Sequence, residues 1–182
     1  EIMRETSKIE LIGNVVPGTI KKVSHKLKTF DLTVKRKSGT DDIINVLTAQ
    51  NIESGTIHVL GELHSSINSE LHVYVFARTI EPDEGNEHMN KCVLSGCVCS
   101  AVPLRITQND RTVSSTTLAS PALSGYHCFV PVVFWGRNAE KSLKYNKGDK
   151  LSLKGRLQSR KYFKHGEQKV TYEVSVSSVK EK

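Results

Sequence analysis

The sequence predicts an all-β chain folded as two five-stranded barrels in tandem. Three observations carry that prediction. Short stretches alternate apolar and polar residues with the period of two that a half-buried strand requires. The series of stretches occurs twice, on either side of a turn-rich segment, EPDEGNEH at 81–88. Both copies also place glycine inside strand-like stretches, where a small closed barrel needs a bulge or a sharp bend at its corners.

The first copy opens with IELIGNV (9–15), broken by Gly13, runs through FDLTVKRKSGTDDIINV (30–46) and SGTIHVLGELHS (54–65), and closes with LHVYVFARTI (71–80). The second has CVLSGCV (92–98), broken by Gly96, then YHCFVPVVFWG (126–136), KGDKLSLKGRLQS (147–159) and VTYEVSVSSV (170–179). In each copy a later strand ends in a Gly-x-Leu-x-Ser signature, Gly61 to Ser65 and Gly155 to Ser159. An internal repeat fixes architecture more firmly than local propensity does. The helical candidate of the second copy, GRNAEKSLKYNKGD (136–149), falls between two strands, where an OB fold, a partly open five-stranded Greek-key barrel, carries its helix. Its counterpart TAQNIESG is too short for more than a turn or two. The domains expected are a degenerate N-terminal OB barrel over 1–83, a linker over 84–90 and a C-terminal OB barrel with a short helix over 91–182.

The chain has 182 residues, 37% hydrophobic and 25% charged, enough to bury a core. No apolar run approaches the roughly 18 residues of a membrane span, and the start lacks the order of a secretory signal. A cytoplasmic protein with no membrane partner is expected. Cys92, Cys97, Cys99 and Cys128 are too few and too clustered for a disulfide framework. Strand alternation sets Cys92 on the face opposite Cys97 and Cys99, against three-point zinc ligation, so they read as reduced, small core residues. No P-loop, HExxH or GxSxG occurs and the histidines are scattered, so no catalytic residue, metal or cofactor is expected and the chain does not read as an enzyme.

Charge is unevenly spread. The net charge is +7, yet residues 1–85 hold 10 Lys and Arg against 12 Asp and Glu, while residues 86–182 hold 16 against 7. A field of one sign in one half favours a polyanion there. The stretch LSLKGRLQSRKYF gives that preference a surface: Leu151, Leu153 and Leu157 point one way, and Lys154, Arg156, Arg160 and Tyr162 the other, with Lys164 beyond. Cations follow phosphates, and flat rings take unstacked bases at about 1–3 kcal/mol each whatever the base. The alternative is a solvated strand face in a basic protein. In the first copy Lys21, Lys22, Lys26 and Lys28, with Lys35, Arg36 and Lys37, either extend a phosphate path or only keep loops soluble. Its His72, Tyr74 and Phe76 share a face and read as core or interface.

The string FVPVVFWGRNAEKSLKYNKGDKLSLKGRLQSRKY, followed by TYEVSV, resembles the core of bacterial single-stranded DNA-binding proteins over about residues 91–180. The first copy resembles them in outline, through its glycines and the Arg36, Ser38, Gly39, Asp41 string. The resemblance implies sequence-tolerant binding of single-stranded DNA in replication, recombination or repair. It makes Phe129, Trp135 and Tyr162 the stacking rings, and adds Arg137 from the Gly-Lys/Arg pair. An unbroken strand would place Phe129 and Trp135 on one face with Pro131 and Val133, although proline implies an edge or a bulge; the alternative for Phe129 and Trp135 is core. The family's upstream ring has no counterpart in TVSSTTLASP. Because the family assembles four barrels, a homodimer of two-barrel chains is expected. RNA stays open as a ligand, since no residue here identifiably reads a 2′-hydroxyl. The family's acidic tip has no match in the final SSVKEK, so either a tail was removed or replication and repair proteins are not recruited that way. The competing function is a docking module similar to PriB-type primosomal proteins, whose acidic first barrel would meet a helicase or primase.

Overall fold

A computed structural model describes residues 7–121 and 127–181. The elements are β1 (Ser7–Val15), β2 (Lys21–Lys22), β3 (Lys28–Lys35), β4 (Asp41–Thr48), β5 (Thr56–Asn68), β6 (Glu70–Pro82), β7 (Met89–Val98), β8 (Leu104–Ile106), β9 (Thr112–Pro121), β10 (His127–Trp135), α1 (Arg137–Ser142), β11 (Lys150–Lys164) and β12 (Glu167–Glu181). The chain forms two compact units. Among the described residues, one comprises Lys8–His64 and Tyr74–Lys91; the other comprises Ser7, Ser65–Val73 and those from Cys92 onward, and so takes in the turn of the β5–β6 hairpin.

In the first unit β1 runs antiparallel to β5, from Ile9↔Gly61 to Asn14↔Thr56, and its end turns to β3 at Asn14↔Thr33 and Val15↔Leu32. β3 pairs with β4, β4 lies parallel to β6 at Val46↔Val75, and β6 returns to β5. The ladder therefore closes on itself. Alternation supplies the core: Leu11, Phe30, Leu32, Val46, Val59 and Val75 are fully buried.

The second unit follows the same order. β7 runs antiparallel to β11, from Cys92↔Gly155 to Cys97↔Lys150, then meets β9 at Cys97↔Ala119 and Val98↔Leu118. β9 pairs with β10, β10 lies parallel to β12 at Val132↔Val174, and β12 pairs with β11. Leu94, Leu118, Val130, Phe134, Leu153 and Leu157 fill this core with no exposure. Burying each such side chain is worth about 1.5–3 kcal/mol.

The repeated glycines sit where backbones touch. A Cβ on Gly61 would lie 2.1 Å from the Phe76 carbonyl oxygen, and one on Gly155 2.1 Å from that of Ser175. Gly13 and Gly96 meet the carbonyls of Thr33 and Ala119 in the same way, where β1 and β7 change partner. The Gly-x-Leu-x-Ser stretches, however, do not end strands. β5 continues to Asn68 and β11 to Lys164, because the alternation persists through polar residues into long hairpins.

Other expectations shift as well. Residues 49–55 form no helix, and the second copy's helix is only Arg137–Ser142, held by buried Ala139 and Ser142. Tyr126, the first residue expected in β10, lies outside the described residues. β9 was not expected as a strand, since TVSSTTLASP has few apolar residues. Its inward side is nonetheless built from Ser114, Thr116, Leu118 and Ser120, whose hydroxyls find partners. Ser114 Oγ meets Ser142 Oγ of α1 at 2.6 Å, and Ser120 Oγ donates to the Ser95 carbonyl at 2.7 Å. Buried hydroxyls are tolerated when hydrogen-bonded. Cys92 and Cys128 are core, whereas Cys97 and Cys99 are half-buried; all four are free thiols. Burial, with Cys128 nearby, pushes the Cys92 thiol up to about 12, so it is unreactive.

Candidate nucleic-acid interface

β10 alternates as far as Val132, after which Val133 is buried as well. Cys128, Val130, Val132 and Phe134 point into the barrel, and Phe129, Pro131, Val133 and Trp135 share the outer face. Pro131 fits because of which edge its missing N–H faces. The Phe129 N–H points away from β9 and donates to Ser65 Oγ at 2.8 Å, and residue 131 faces the same way. The ladder to β12 begins only at Val132, so no bond is lost there.

The outer face continues onto β12 and β11. Trp135 Nε1–H donates to Ser175 Oγ at 3.2 Å. Opposite Ser175 on β11 is Arg156, and opposite Glu173 is Gln158. The register skips Ser177, a bulge residue on β12 whose hydroxyl donates to the Lys154 carbonyl at 2.9 Å. Because the extra residue lies on β12, β11 keeps its phase, and Lys154, Arg156, Arg160 and Tyr162 share the face opposite Leu151, Leu153 and Leu157. Polar contacts lace that face: Arg156 Nη2 donates to Gln158 Oε1 at 3.0 Å, Gln158 Nε2 donates to Glu173 Oε1 at 2.9 Å, and Arg160 Nε lies 3.9 Å from Glu173 Oε2.

Beside Trp135 runs an open groove of about 780 Å³. Pro131, Val133 and Trp135 give it an apolar side, Arg105 and Ile106 of β8 form a wall, and Arg160 and Glu173 line it too. Arg111, just before β9, sets its guanidinium 4.9 Å from the centroid of the Trp135 ring, a cation–π contact.

The remaining expected residues lie elsewhere. Tyr162 and Lys164 are near the tip of the β11–β12 hairpin, where Glu70 gathers them. The Tyr162 hydroxyl donates to Glu70 Oε2 at 3.2 Å, Lys164 Nζ donates to Oε1, and Lys169 Nζ stands 3.5 Å from Oε2. The hydrogen bond from Lys164 leads in holding the Glu70 carboxyl down at about 2. Arg137 is exposed at the start of α1. In the first unit Arg36 makes a bidentate pair with buried Asp42, Nε to Oδ2 and Nη2 to Oδ1, both 2.7 Å. That geometry braces the β3–β4 turn. Lys35 is exposed, and its N–H donates to His88 Nδ1 at 2.8 Å. Burial, then the Lys35 charge, keeps the His88 imidazole below its usual range.

On the β5–β6 hairpin Tyr74 and Phe76 are half-buried on the outer face, with His64 5.7 and 5.4 Å away by ring centroids and Arg78 4.8 Å over Phe76. Val73, Val75 and Ala77 take the core positions instead. Sequence reasoning missed Arg105, Arg111, Glu70 and the Gln158–Glu173 pair. The last had a signal: pairing LKGRLQSRKYF with VTYEVSV as a hairpin sets Glu173 among the cations.

Residues 89–181 match the Single-strand binding protein family. The chain belongs to that family. Among curated members of the family, Single-stranded DNA-binding protein 2 of Streptococcus agalactiae serotype V is 33% identical over 96 residues, which cover 49% of this chain and 73% of the relative. The protein of the same name from serotype III has the same identity and coverage. In fold, this single-strand binding family member is similar to the wild-type single-stranded DNA binding protein from Thermus aquaticus, with a TM-score of 0.75 over 97% of this chain and 92% of that one at 22% identity. A deletion mutant of the Thermus protein has a TM-score of 0.75, 23% identity, and 97% and 94% coverage. The fold likeness thus takes in residues before 89, which the family match does not reach.

Proposed function

We propose that this chain binds single-stranded DNA with little regard to sequence, bases lying on the outer face of β10, β12 and β11 and phosphates following its cations. The observation that carries the reading is the meeting of Trp135, the groove beside it and the cations Arg105, Arg156 and Arg160 on one face. Stacking supplies affinity without base readout, because every base has a π face. Phe129, Tyr162, Lys154, Arg137 and Lys164 extend the track, whereas Lys35 is the better phosphate candidate of the first unit, Arg36 being held by Asp42. In this reading the chain carries tandem OB barrels, residues 1–83 and 91–182, and two chains together supply four barrels. Its place is then the exposed single strands of replication, recombination or repair in the cytoplasm.

Titrating the emission of the chain's one tryptophan with oligo(dT) at several salt concentrations, beside a duplex control, tests this. Quenching by single strands alone is expected, with log affinity falling against log salt by about 0.7 for each phosphate neutralised. Equal response to duplex, or no binding by any assay, would overturn it.

A further inference from the structure

A carboxylate is an unexpected guest in a groove meant for a polyanion. Glu173 is only 8% exposed, yet it lines the groove that Trp135 borders. It is held rigidly: β12 fixes its backbone opposite Gln158, and Oε1 accepts from Gln158 Nε2. Oε2 accepts no hydrogen bond from the described residues, and its near neighbour is Arg160 Nε at 3.9 Å. Arg160 is itself 61% exposed in its side chain and free to swing to a phosphate. What remains is a fixed, charged acceptor in the groove that the ring borders, with Pro131 and Val133 and the hydroxyls of Ser115 and Thr117 among its other lining.

From this we infer that Glu173 reads the edge of the base seated at Trp135 and selects one that carries an exocyclic amino group. The inference rests on the proposed single-strand binding and adds a preference at one nucleotide. Cytosine offers the N4 amino donor that carboxylates accept in base recognition. Thymine of the same size sets carbonyl oxygens at those edge positions on either side of a single N3–H, and they repel the carboxylate. A hydrogen bond to a charged acceptor is roughly twice as strong as a neutral one, so one contact suffices for a measurable preference.

The probe is a pair of oligonucleotides of equal length, one of deoxycytidine and one of its 2-pyrimidinone analogue, which is cytosine without the amino group. The wild-type chain is expected to bind the first at least about threefold more tightly. In Glu173→Gln, which keeps shape but removes charge, that ratio falls toward one, while affinity for oligo(dT) holds or rises. Thermal melting confirms that the variant is folded, and the wild-type ratio stands as a test without it. Equal affinities in the wild type, or a ratio unchanged in the variant, overturns the role of Glu173 while leaving single-strand binding intact. Absence of binding to every oligonucleotide sinks the proposed function and this inference with it.

Discussion

Gly155 is a residue where one missing carbon decides a fold. Its backbone passes so close to the Ser175 carbonyl that a methyl group has no room, and the neighbouring Leu157 and Val174 are already fully buried. Gly155→Ala is expected to destabilise the chain at the upper end of the roughly 1–3 kcal/mol of overpacking, measured by denaturant unfolding. A change below a few tenths would mean that β11 and β12 slide apart at no cost. The need for glycine here was legible in sequence, because the same spacing recurs at Gly61. By contrast, Arg36 stood in a plausible cationic run, and only the folded β3–β4 hairpin reveals that Asp42, six residues on, takes both of its donors. Arg111 shows the converse failure: 24 residues separate it from Trp135, and nothing local foretells that the loop folds back over the ring.

At the scale of elements, the β11–β12 hairpin carries most of the proposed track, and its outer end is engaged by an acid. Glu70 holds Tyr162, Lys164 and Lys169, whose sequence positions are 92 or more away from it. Strand periodicity predicted which way Tyr162 points but had no access to so distant a partner. The Glu70 carboxyl is depressed to about 2, so its pairing is complete above the ordinary carboxylate range and is lost as pH falls through about 2. The Lys164 ammonium, raised by its hydrogen bond to Glu70, stays charged through neutral pH. Near neutrality only a competing anion opens the cluster. Glu70→Gln is therefore expected to tighten binding of oligo(dT) at low salt and to steepen the salt slope by about 0.7 for each lysine released to a phosphate. An unchanged slope would mean that the strand does not reach this end of the hairpin. β9 teaches a different lesson at this scale: its strand signal was weak because serines and threonines face inward, satisfied by hydrogen bonds that form only once α1 and β7 are in place.

For the whole molecule, the excess of positive charge in residues 86–182 and the aromatic outer face coincide in one unit. The charge excess was readable from composition and the place of the rings from alternation and the resemblance, whereas the acids threaded through that face at Glu70 and Glu173 were not, since their effect depends on register. The way each ladder closes has a consequence in time. β1 and β7 each find their main partner in a strand 42 to 63 residues downstream, and neither ring exists until that distant segment arrives. Loop closure must precede the contacts that reward it, so refolding followed by Trp135 emission is expected on the millisecond-to-second scale. Microsecond recovery would contradict it. A nascent chain that has emerged only as far as β10 carries Trp135, Pro131 and Val133 on a sheet still lacking β11 and β12, so the floor of its groove is, for that interval, an uncovered sticky edge.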